Sequence, residues 1–353
     1  MIGNGGRGSS VSLSDVASSA GVSLATASRV LSNSRHAVAE TTRQRVLDAA
    51  TRLDFVPNLV ARGLVARRTS TFGVIVHDMT DEYFAQIARG FEDAAYASGM
   101  ATLICNSDRD PGKELAYVRQ LRSMRVDAVA FTGSGLLDPD YQMALPSHLR
   151  QLEAAGSVVI CLAPGHGRPA DVVWSTSAGF HAAVAHLRAL GHRRIGFVAG
   201  PELLAGSHER LAAARCELEA AGLDLPEPAI YPGDYTRDGG VAAAARVMAG
   251  DERHRPTALL AANDQLAIGL IAGLRAAGLA VPEGMSIVGF DDVPSCSFVQ
   301  PQLTTIRVPL YEVGAIGAQM AIDRLGGTSR EQVSVPVELV VRASTAPPAP
   351  SRR

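Results

Sequence analysis

Nine arginines (Arg7, Arg29, Arg35, Arg43, Arg45, Arg52, Arg62, Arg67 and Arg68) face four acids (Asp15, Glu40, Asp48 and Asp54) within residues 1 to 70, a local net of +5 on a chain whose overall charge is −2. A basic head on an acidic body suits phosphate contact, because charge concentrated on one segment is the electrostatic footprint of nucleic-acid binding. Catalytic constellations are missing by comparison. The nine histidines include no HExxH, and His181 and His186 are five apart, not the four that sets two ligands on one helical face. Ser134 in Thr132-Gly133-Ser134-Gly135 lacks the GxSxG frame, and Lys113, the one lysine among 33 basic residues, has no glycine loop to cradle a phosphate. Gly3, Gly5 and Gly8 match GxGxxG, yet a dinucleotide site needs a strand before it and a helix after it. Asp291 and Asp292 are adjacent, and neighbours on a loop usually point apart. Cys105, Cys161, Cys216 and Cys296 form no CxxC pair, so they are expected as buried thiols in a reducing compartment. The expectation is a protein with no catalytic residues, no metal site and no cofactor.

The chemistry then rests on the elements that present the arginines. At 353 residues, 47% hydrophobic and 19% charged, the chain supports two or three folded domains. Residues 1–10 are rich in glycine and serine and read as a mobile tail. Ser12 followed by Asp15 predicts a capped helix from Leu13 to Ala20. Gly21 supplies a turn, Ser23 caps a second helix from Leu24 to Ser32, and a third covers Glu40 to Leu53. Val22, Ala27 and Val30 are placed to pack inward. Pro57 ends this unit, and Asn58 to Arg68 follow as a weak helix with little apolar surface. No run of 18 apolar residues occurs and no apolar stretch follows Arg7, so a cytoplasmic protein is expected, with neither secretion nor a membrane partner.

From Thr71 the pattern changes. Apolar runs at 72–76, 101–105, 127–131 and 157–162 alternate with helical stretches near 83–98, 112–124 and 148–155. A second series at 195–199, 229–231, 257–261 and 286–290 alternates with helices near 178–190, 207–221, 237–249 and 264–277. Such alternation predicts parallel sheets covered on both faces by helices. The strand, loop and helix ending at Gly99 resemble the strand, loop and helix ending at Gly222, which implies two similar α/β lobes. Ligands in open α/β sheets bind beyond the carboxyl ends of strands, so the loops after Val76, Ala199, Ala261 and Phe290 are the expected site.

Several ordered segments resemble the lactose- and galactose-repressor (LacI/GalR) family of bacterial regulators: 12–31 (SLSDVASSAGVSLATASRVL), 53–64 (LDFVPNLVARGL), 262–269 (ANDQLAIG), 288–292 (VGFDD) and 301–306 (PQLTTI). The resemblance implies an all-α helix-turn-helix DNA-binding domain (11–57) and a hinge helix (58–70). A two-lobed, type I periplasmic-binding-protein-like core with parallel sheets follows (71–345), and a disordered tail (346–353). The first lobe is expected at 71–172 plus 300–328, the second at 173–299 plus 329–345. By the same resemblance, the protein is a repressor that binds palindromic operator duplex as a homodimer under control of a small-molecule effector, a carbohydrate or derivative. No leucine-heptad tail follows Arg342, so nothing points to a coiled-coil tetramer. The rival reading is a periplasmic-type sugar receptor of a transport system, which shares the core but has a signal peptide and no helix-turn-helix.

In a helix-turn-helix the second helix enters the major groove with its first residues facing base edges. Family members choose their operator at the positions of Leu24 and Ala25 and contact guanine at that of Arg29. Leu24 and Ala25 have no hydrogen-bonding side chain and read apolar features such as a thymine methyl, whereas a guanidinium grips guanine O6 and N7. Ser12, Ser23, Thr26, Ser28, Asn33 and Asn58 are candidates on the DNA surface, with phosphate contacts that fix register. The resemblance places Leu64, beside Ala61, as the hinge leucine that wedges into the central base step, and Val65 where some relatives carry a lysine.

In the cleft, the resemblance implies Asp78, Asn263 and Asp291 for hydroxyls, Tyr83, Phe84 and Tyr235 for ring faces, and Arg210 for a ligand oxygen or carboxylate. Asp264 and Asp292 read as caps or loop anchors. Two departures are visible: Leu162 stands where relatives often have an aspartate, and Ser175-Thr176 where they carry Asp-Asn. A standard hexose fits these less well than a modified or less hydroxylated ligand.

Overall fold

The computed structural model describes residues 11–31, 38–55, 69–328 and 330–349. The chain divides into two compact units between Thr69 and Ser70.

In the first unit, α1 (Leu13–Ala20), α2 (Leu24–Leu31) and α3 (Glu40–Arg52) each bury one stripe. Val16, Ala17, Ala20, Ala27, Val30, Val46, Ala49 and Ala50 meet in one small core. These positions recur three or four apart, as one face of a helix requires.

The described residues of the second unit form two large sheets and a two-stranded one. In the first lobe, β1 (Thr71–Val76), β2 (Ala101–Asn106), β3 (Ala128–Phe131) and β4 (Val158–Cys161) form a parallel sheet in the order β2-β1-β3-β4. Phe72, Val74 and Val76 enter one buried cluster while Ile75 enters another. Successive residues of a strand face opposite sides, so the continuous run FGVIV is the signature of a strand covered on both faces. Helices α4 (Glu82–Ala97), α5 (Pro111–Ser123) and α6 (Pro139–Ala154) supply part of that cover.

The chain crosses to the second lobe through a short strand, β5 (Val172–Val173). There β6 (Ile195–Val198), β7 (Ile230–Tyr231), β8 (Ala258–Ala261), β9 (Ser286–Asp291), β10 (Thr304–Arg307) and β12 (Glu338–Val340) assemble in the order β12-β10-β9-β8-β6-β7. Only β12 runs antiparallel, against β10. Helices α7 (Thr176–Ala189), α8 (Ala205–Ala220), α9 (Arg237–Ala249) and α10 (Asp264–Ala276) flank this sheet, and α11 (Leu310–Leu325) returns to pack on α4 of the first lobe. A further strand, β11 (Val333–Ser334), pairs with β5 at the crossing. The internal echo holds at the level of topology: β2-β1-β3-β4 and β7-β6-β8-β9 follow one order. Each sheet therefore has a crevice where the strand order reverses, at the ends of β1 and β3 and of β6 and β8.

Three expectations differ from the fold. Helix α6 begins at Pro139, not near 148: Asp138 accepts the Tyr141 N–H at 2.8 Å. Burial of Tyr141, Leu145, Leu149 and Leu152 then carries the helix through Pro146. Thr304–Arg307 were expected in the first lobe; they pair with Val288–Asp291 of β9 in the second, and the crossing comes after them. The expected disordered tail is anchored at its start, because Ala346 donates its N–H to Ser286 Oγ at 3.0 Å and its carbonyl lies 2.9 Å from His192 Nε2.

Candidate functional site

The first unit turns one face of α2 outward. Gly21 ends α1 with φ 64°, a left-handed conformation that costs least without a Cβ. Ser23 then caps α2, its Oγ accepting the Thr26 N–H at 3.1 Å and lying 2.9 Å from Thr26 Oγ1. Because Ala27 and Val30 point into the core, with Val22 packed at its edge, Leu24, Ala25, Ser28 and Arg29 occupy the exposed side. Leu24 is 53% exposed, although a leucine at this position gains most by burial. Ser12 is committed to a capping box: its hydroxyl accepts the Asp15 N–H at 3.3 Å and donates to Asp15 Oδ2 at 2.7 Å. Asn33, Asn58, Ala61 and Leu64, like most of the hinge, lie outside the described residues.

The second unit holds a cavity of about 320 Å³ between its lobes. Strand ends converge on it: His77 follows β1, Arg109 follows β2, Gly133 and Ser134 follow β3, Asn263 follows β8, and Asp291 ends β9. The lobes touch on two sides of it. On one, the Leu137 N–H donates to the Leu203 carbonyl at 2.7 Å and the Ala205 N–H to that of Gly135 at 3.0 Å. A Cβ on Gly135 would lie 1.8 Å from the Gly165 carbonyl oxygen, which explains the second glycine of TGSG by close backbone approach. On the other side, Glu82 of α4 accepts the Ser295 N–H at 3.0 Å and the Ser295 hydroxyl, and pairs with Arg237 Nη2 at 3.3 Å.

The centre of the second lobe's wall is an ion pair. Arg210 Nη2 and Nη1 reach Asp291 Oδ1 and Oδ2 at 2.6 and 3.3 Å, and the guanidinium also donates to the Ala262 carbonyl and stacks 4.2 Å from the Phe290 ring centroid. Burial pushes the Asp291 carboxyl upward, and the Arg210 charge works against that shift. Arg210 feels the reverse balance: burial opposes its charge, but Asp291 holds its pKa above the ordinary range. Asp291 has φ 114° and Tyr235 φ 68°, backbone conformations that residues with a Cβ adopt when their surroundings hold them there. Asn263 caps α10 by accepting the Leu266 N–H at 3.0 Å and donates to the Tyr235 carbonyl at 3.4 Å, while Ser207 Oγ donates to Tyr235 Oη at 3.1 Å. Asp264 turns away as an anchor, accepting the Val293 N–H at 2.9 Å and the Thr305 hydroxyl at 2.5 Å; Asp292 pairs with Arg307 and Arg342, each at 2.7 Å.

Six of the seven cleft residues expected from sequence line the cavity: Tyr83, Phe84, Arg210, Tyr235, Asn263 and Asp291. Asp78 does not. Its carboxylate folds back onto Thr80, accepting the N–H at 2.8 Å and the hydroxyl at 2.7 Å, and Asp81 takes the place in the wall. Asp81 accepts the Tyr83 N–H at 3.1 Å as the cap of α4, and burial raises its pKa. The spacing Asp81-Glu82 before a helix carried that signal. Sequence reasoning also passed over His77, Arg109, Trp174 and Glu209. Leu162 is fully buried, and Thr176 donates to Glu209 Oε1 at 2.6 Å, so the two departures from the family pattern fall on a packed position and on a cleft residue.

Beneath the first lobe's wall lies a second polar group. Glu114, 1% exposed, accepts the Tyr141 hydroxyl and, at 3.2 Å, that of Ser107, with His77 Nε2 at 3.6 Å. Burial disfavours its charge, but His77 holds the carboxyl below its usual value.

A compact helical unit with an exposed second helix, on the same chain as a two-lobed cleft, defines a ligand-responsive DNA-binding regulator. Residues 12–58 match the bacterial regulatory proteins of the lacI family, and 184–345 match a periplasmic binding protein-like domain. Catabolite control protein A of Priestia megaterium is 32% identical over 95% of this chain and 99% of its own. Among solved structures, the lac repressor dimer bound to operator and the anti-inducer ONPF aligns with a TM-score of 0.82 at 29% identity, covering 96% of this chain and 99% of that one. The complex of the transcriptional regulator CelR with cellobiose gives 0.69 at 29% identity, covering 95% and 99%. The chain belongs to the lacI family and is a helix-turn-helix transcription regulator. The transport-receptor reading gives way, because the match begins in the DNA-binding head and runs through the core. No described helix is long and apolar enough to cross a membrane.

Proposed function

We propose that this regulator is a cytoplasmic repressor of carbohydrate or related catabolic genes, without catalytic activity, whose grip on a palindromic operator is set by a sugar or sugar derivative in the interlobe cleft. Residues 11–57 serve as the DNA-binding domain, 58–70 as the hinge, and the core as sensor and dimer scaffold. The observation that carries the reading is the cleft itself: polar groups already held in place by the protein (Arg210 and Asp291 by each other, Asn263 by Leu266 and Tyr235) beside the aromatic faces of Tyr83, Tyr235 and Trp174. That combination suits a ring bearing hydroxyls. The relatives bound to an anti-inducer and to cellobiose support it.

On the DNA side, Leu24 and Ala25 read apolar base features, Arg29 reads guanine, Ser12, Ser23, Thr26, Ser28, Asn33 and Asn58 set register, and Leu64 beside Ala61 wedges the operator centre. A palindrome asks for two copies. The strand β2 supports this, because Leu103 and Ile104 are 39% and 41% exposed on a strand that only β1 pairs with among the described strands, and soluble proteins cover such margins. Ligand control requires unequal affinity of the effector for the high- and low-affinity states, and its sign decides between induction and co-repression. The test is selection of duplexes from a random pool with the full-length protein, followed by anisotropy titration with and without sugars. The expected outcome is a two-fold symmetric site whose affinity changes on ligand addition. Equal binding to the selected and scrambled duplexes, with or without ligand, refutes the reading.

A further inference from the structure

Arg109 is held in a fixed turn, and among the described residues it makes no hydrogen bond or ion pair. Asp108 and Arg109 are consecutive left-handed residues, φ 55° and 57°. On either side the turn is tied down: Asp108 pairs with Lys113 and accepts from Asn106, and Asp110 caps α5 by accepting the Lys113 N–H at 2.7 Å. Two such backbone conformations in succession persist because these contacts impose them, and their effect is to aim the Arg109 side chain into the cleft. Its Nε is buried and makes no hydrogen bond, and no ion pair among the described residues includes it.

The nearby carboxyls of Asp81 and Asp108 feel its charge without pairing with it. Asp81 in the first lobe and Tyr235 in the second both feel the Arg109 charge, which sets the guanidinium between the walls. Asp81, however, spends an oxygen on the Tyr83 N–H. Glu209, the other lining acid without a cation, is exposed and takes the Thr176 hydroxyl. Arg210 is already paired, with three of its five N–H groups spent on Asp291 and the Ala262 carbonyl and its plane stacked on Phe290. A buried donor without a partner calls for an explanation, and the economical one is that its partner is the ligand. Guanidinium presents parallel N–H groups that match carboxylate or phosphate oxygens, whereas a hydroxyl takes one bond and leaves the charge uncompensated.

We propose that the effector is a sugar-sized acid, carrying a carboxylate or phosphate, and that Arg109 seats its anionic group. This rests on the reading of the cleft as the effector site. A cavity of about 320 Å³ is at the small end for ligand pockets and fits one ring with one such substituent.

Trp174 is the chain's one tryptophan and lines the cavity, so its emission reports occupancy directly. Full-length protein is titrated with glucose, glucuronate and glucose 6-phosphate, with galactose, galacturonate and galactose 6-phosphate, and with ribose and ribose 5-phosphate. The expected result is that an acid binds at least tenfold tighter than its neutral parent. The uronate and phosphate arms tell which anion is preferred. Arg109→Gln should weaken the acid by tenfold or more and the parent by less than twofold, while Arg109→Lys should keep part of the preference. Thermal melting without ligand verifies that both variants are folded. Neutral sugars binding as tightly as their acids, or acids binding Arg109→Gln undiminished, overturns the anion seat and leaves the cleft reading standing. Failure of every compound, acid and neutral, to perturb emission or melting overturns both.

Discussion

Replacing Asp291 with asparagine tests whether the cleft wall is preassembled by its own ion pair. Asparagine is nearly isosteric and tolerates positive φ better than most residues, so the φ of 114° is not the cause of any loss. The change removes the carboxylate that two Arg210 nitrogens contact at 2.6 and 3.3 Å, and sets an amide N–H₂ against one of them. Side-chain exposures of 11% for Arg210 and 3% for Asp291 leave little room for water to substitute. Stranding one member of a buried pair costs about 3–5 kcal/mol. A unit larger than 250 residues loses about 2 °C per kcal/mol, the low end of the usual range, so the melting point should fall by roughly 6–10 °C. The assay is urea and thermal unfolding of the full-length wild type, Asp291→Asn, Arg210→Gln and the double variant. Because two neutral amides leave no stranded charge, the double variant should recover about 1–3 kcal/mol relative to the sum of the singles. Stability within about 0.5 kcal/mol of wild type for Asp291→Asn, or strict additivity in the cycle, refutes the reasoning.

The buried carboxyl of Asp264 predicts a pH dependence. Burial, reinforced by the Asp291 charge, pushes its pKa up to about 8, so the folded state holds a proton that the unfolded chain releases near pH 4. Stability from this group is present at low pH and lost as pH rises through 8. The buried His166, lowered to about 4 by desolvation, acts in the opposite sense only below about pH 6.5. The melting point should therefore fall between pH 6.5 and 8.5, and Asp264→Asn should flatten that slope; a slope unchanged in the variant would count against Asp264. Arg29→Ala should weaken binding to the selected operator by about 1–3 kcal/mol and relax preference at one base pair of each half-site, read by anisotropy on a set of single-base variants. A uniform loss across all sequences would make Arg29 a phosphate contact instead. Glu82→Gln should weaken the contacts to Ser295 and Arg237, favour the open cleft, and lower effector affinity several-fold by Trp174 emission. An unaltered affinity would show that closure does not depend on this contact.

What the sequence made legible follows from periodicity. Strands buried on both faces read as short apolar runs, and the helices between them end in glycines with positive φ at Gly99 and Gly222, so both α/β units could be marked out. The capping box of α1 was visible because Ser12 and Asp15 satisfy each other locally. Non-local features were not visible. Thr304–Arg307 carry no long apolar run, and only their pairing with β9 assigns them to the second lobe. Asp78 and Asp81 are the same residue type three positions apart. What separates them is that Asp78 finds Thr80 as a partner while Asp81 caps α4 from the cavity side. Arg109 gave no signal either, because its role depends on a backbone conformation that no glycine announces.

The two walls of the cleft differ in a way that constrains how a ligand controls the protein. In the second lobe Arg210, Asp291, Asn263 and Tyr235 are bonded to one another or to their own lobe, so that wall exists whether or not the lobes are closed. Glu82 bonds across the gap to Ser295 and Arg237, and Arg109 pairs with none of the described residues. A ligand shifts an equilibrium only by what it gains in one state over the other. Contacts to the second lobe are available in both states and contribute affinity without bias. The bias must come from contacts to the first lobe, from Asp81 and Arg109, which a ligand seated on the second lobe reaches only after closure. Substitutions of Asp81 or Arg109 should thus uncouple ligand binding from operator affinity, while damage at the Arg210–Asp291 pair abolishes binding outright.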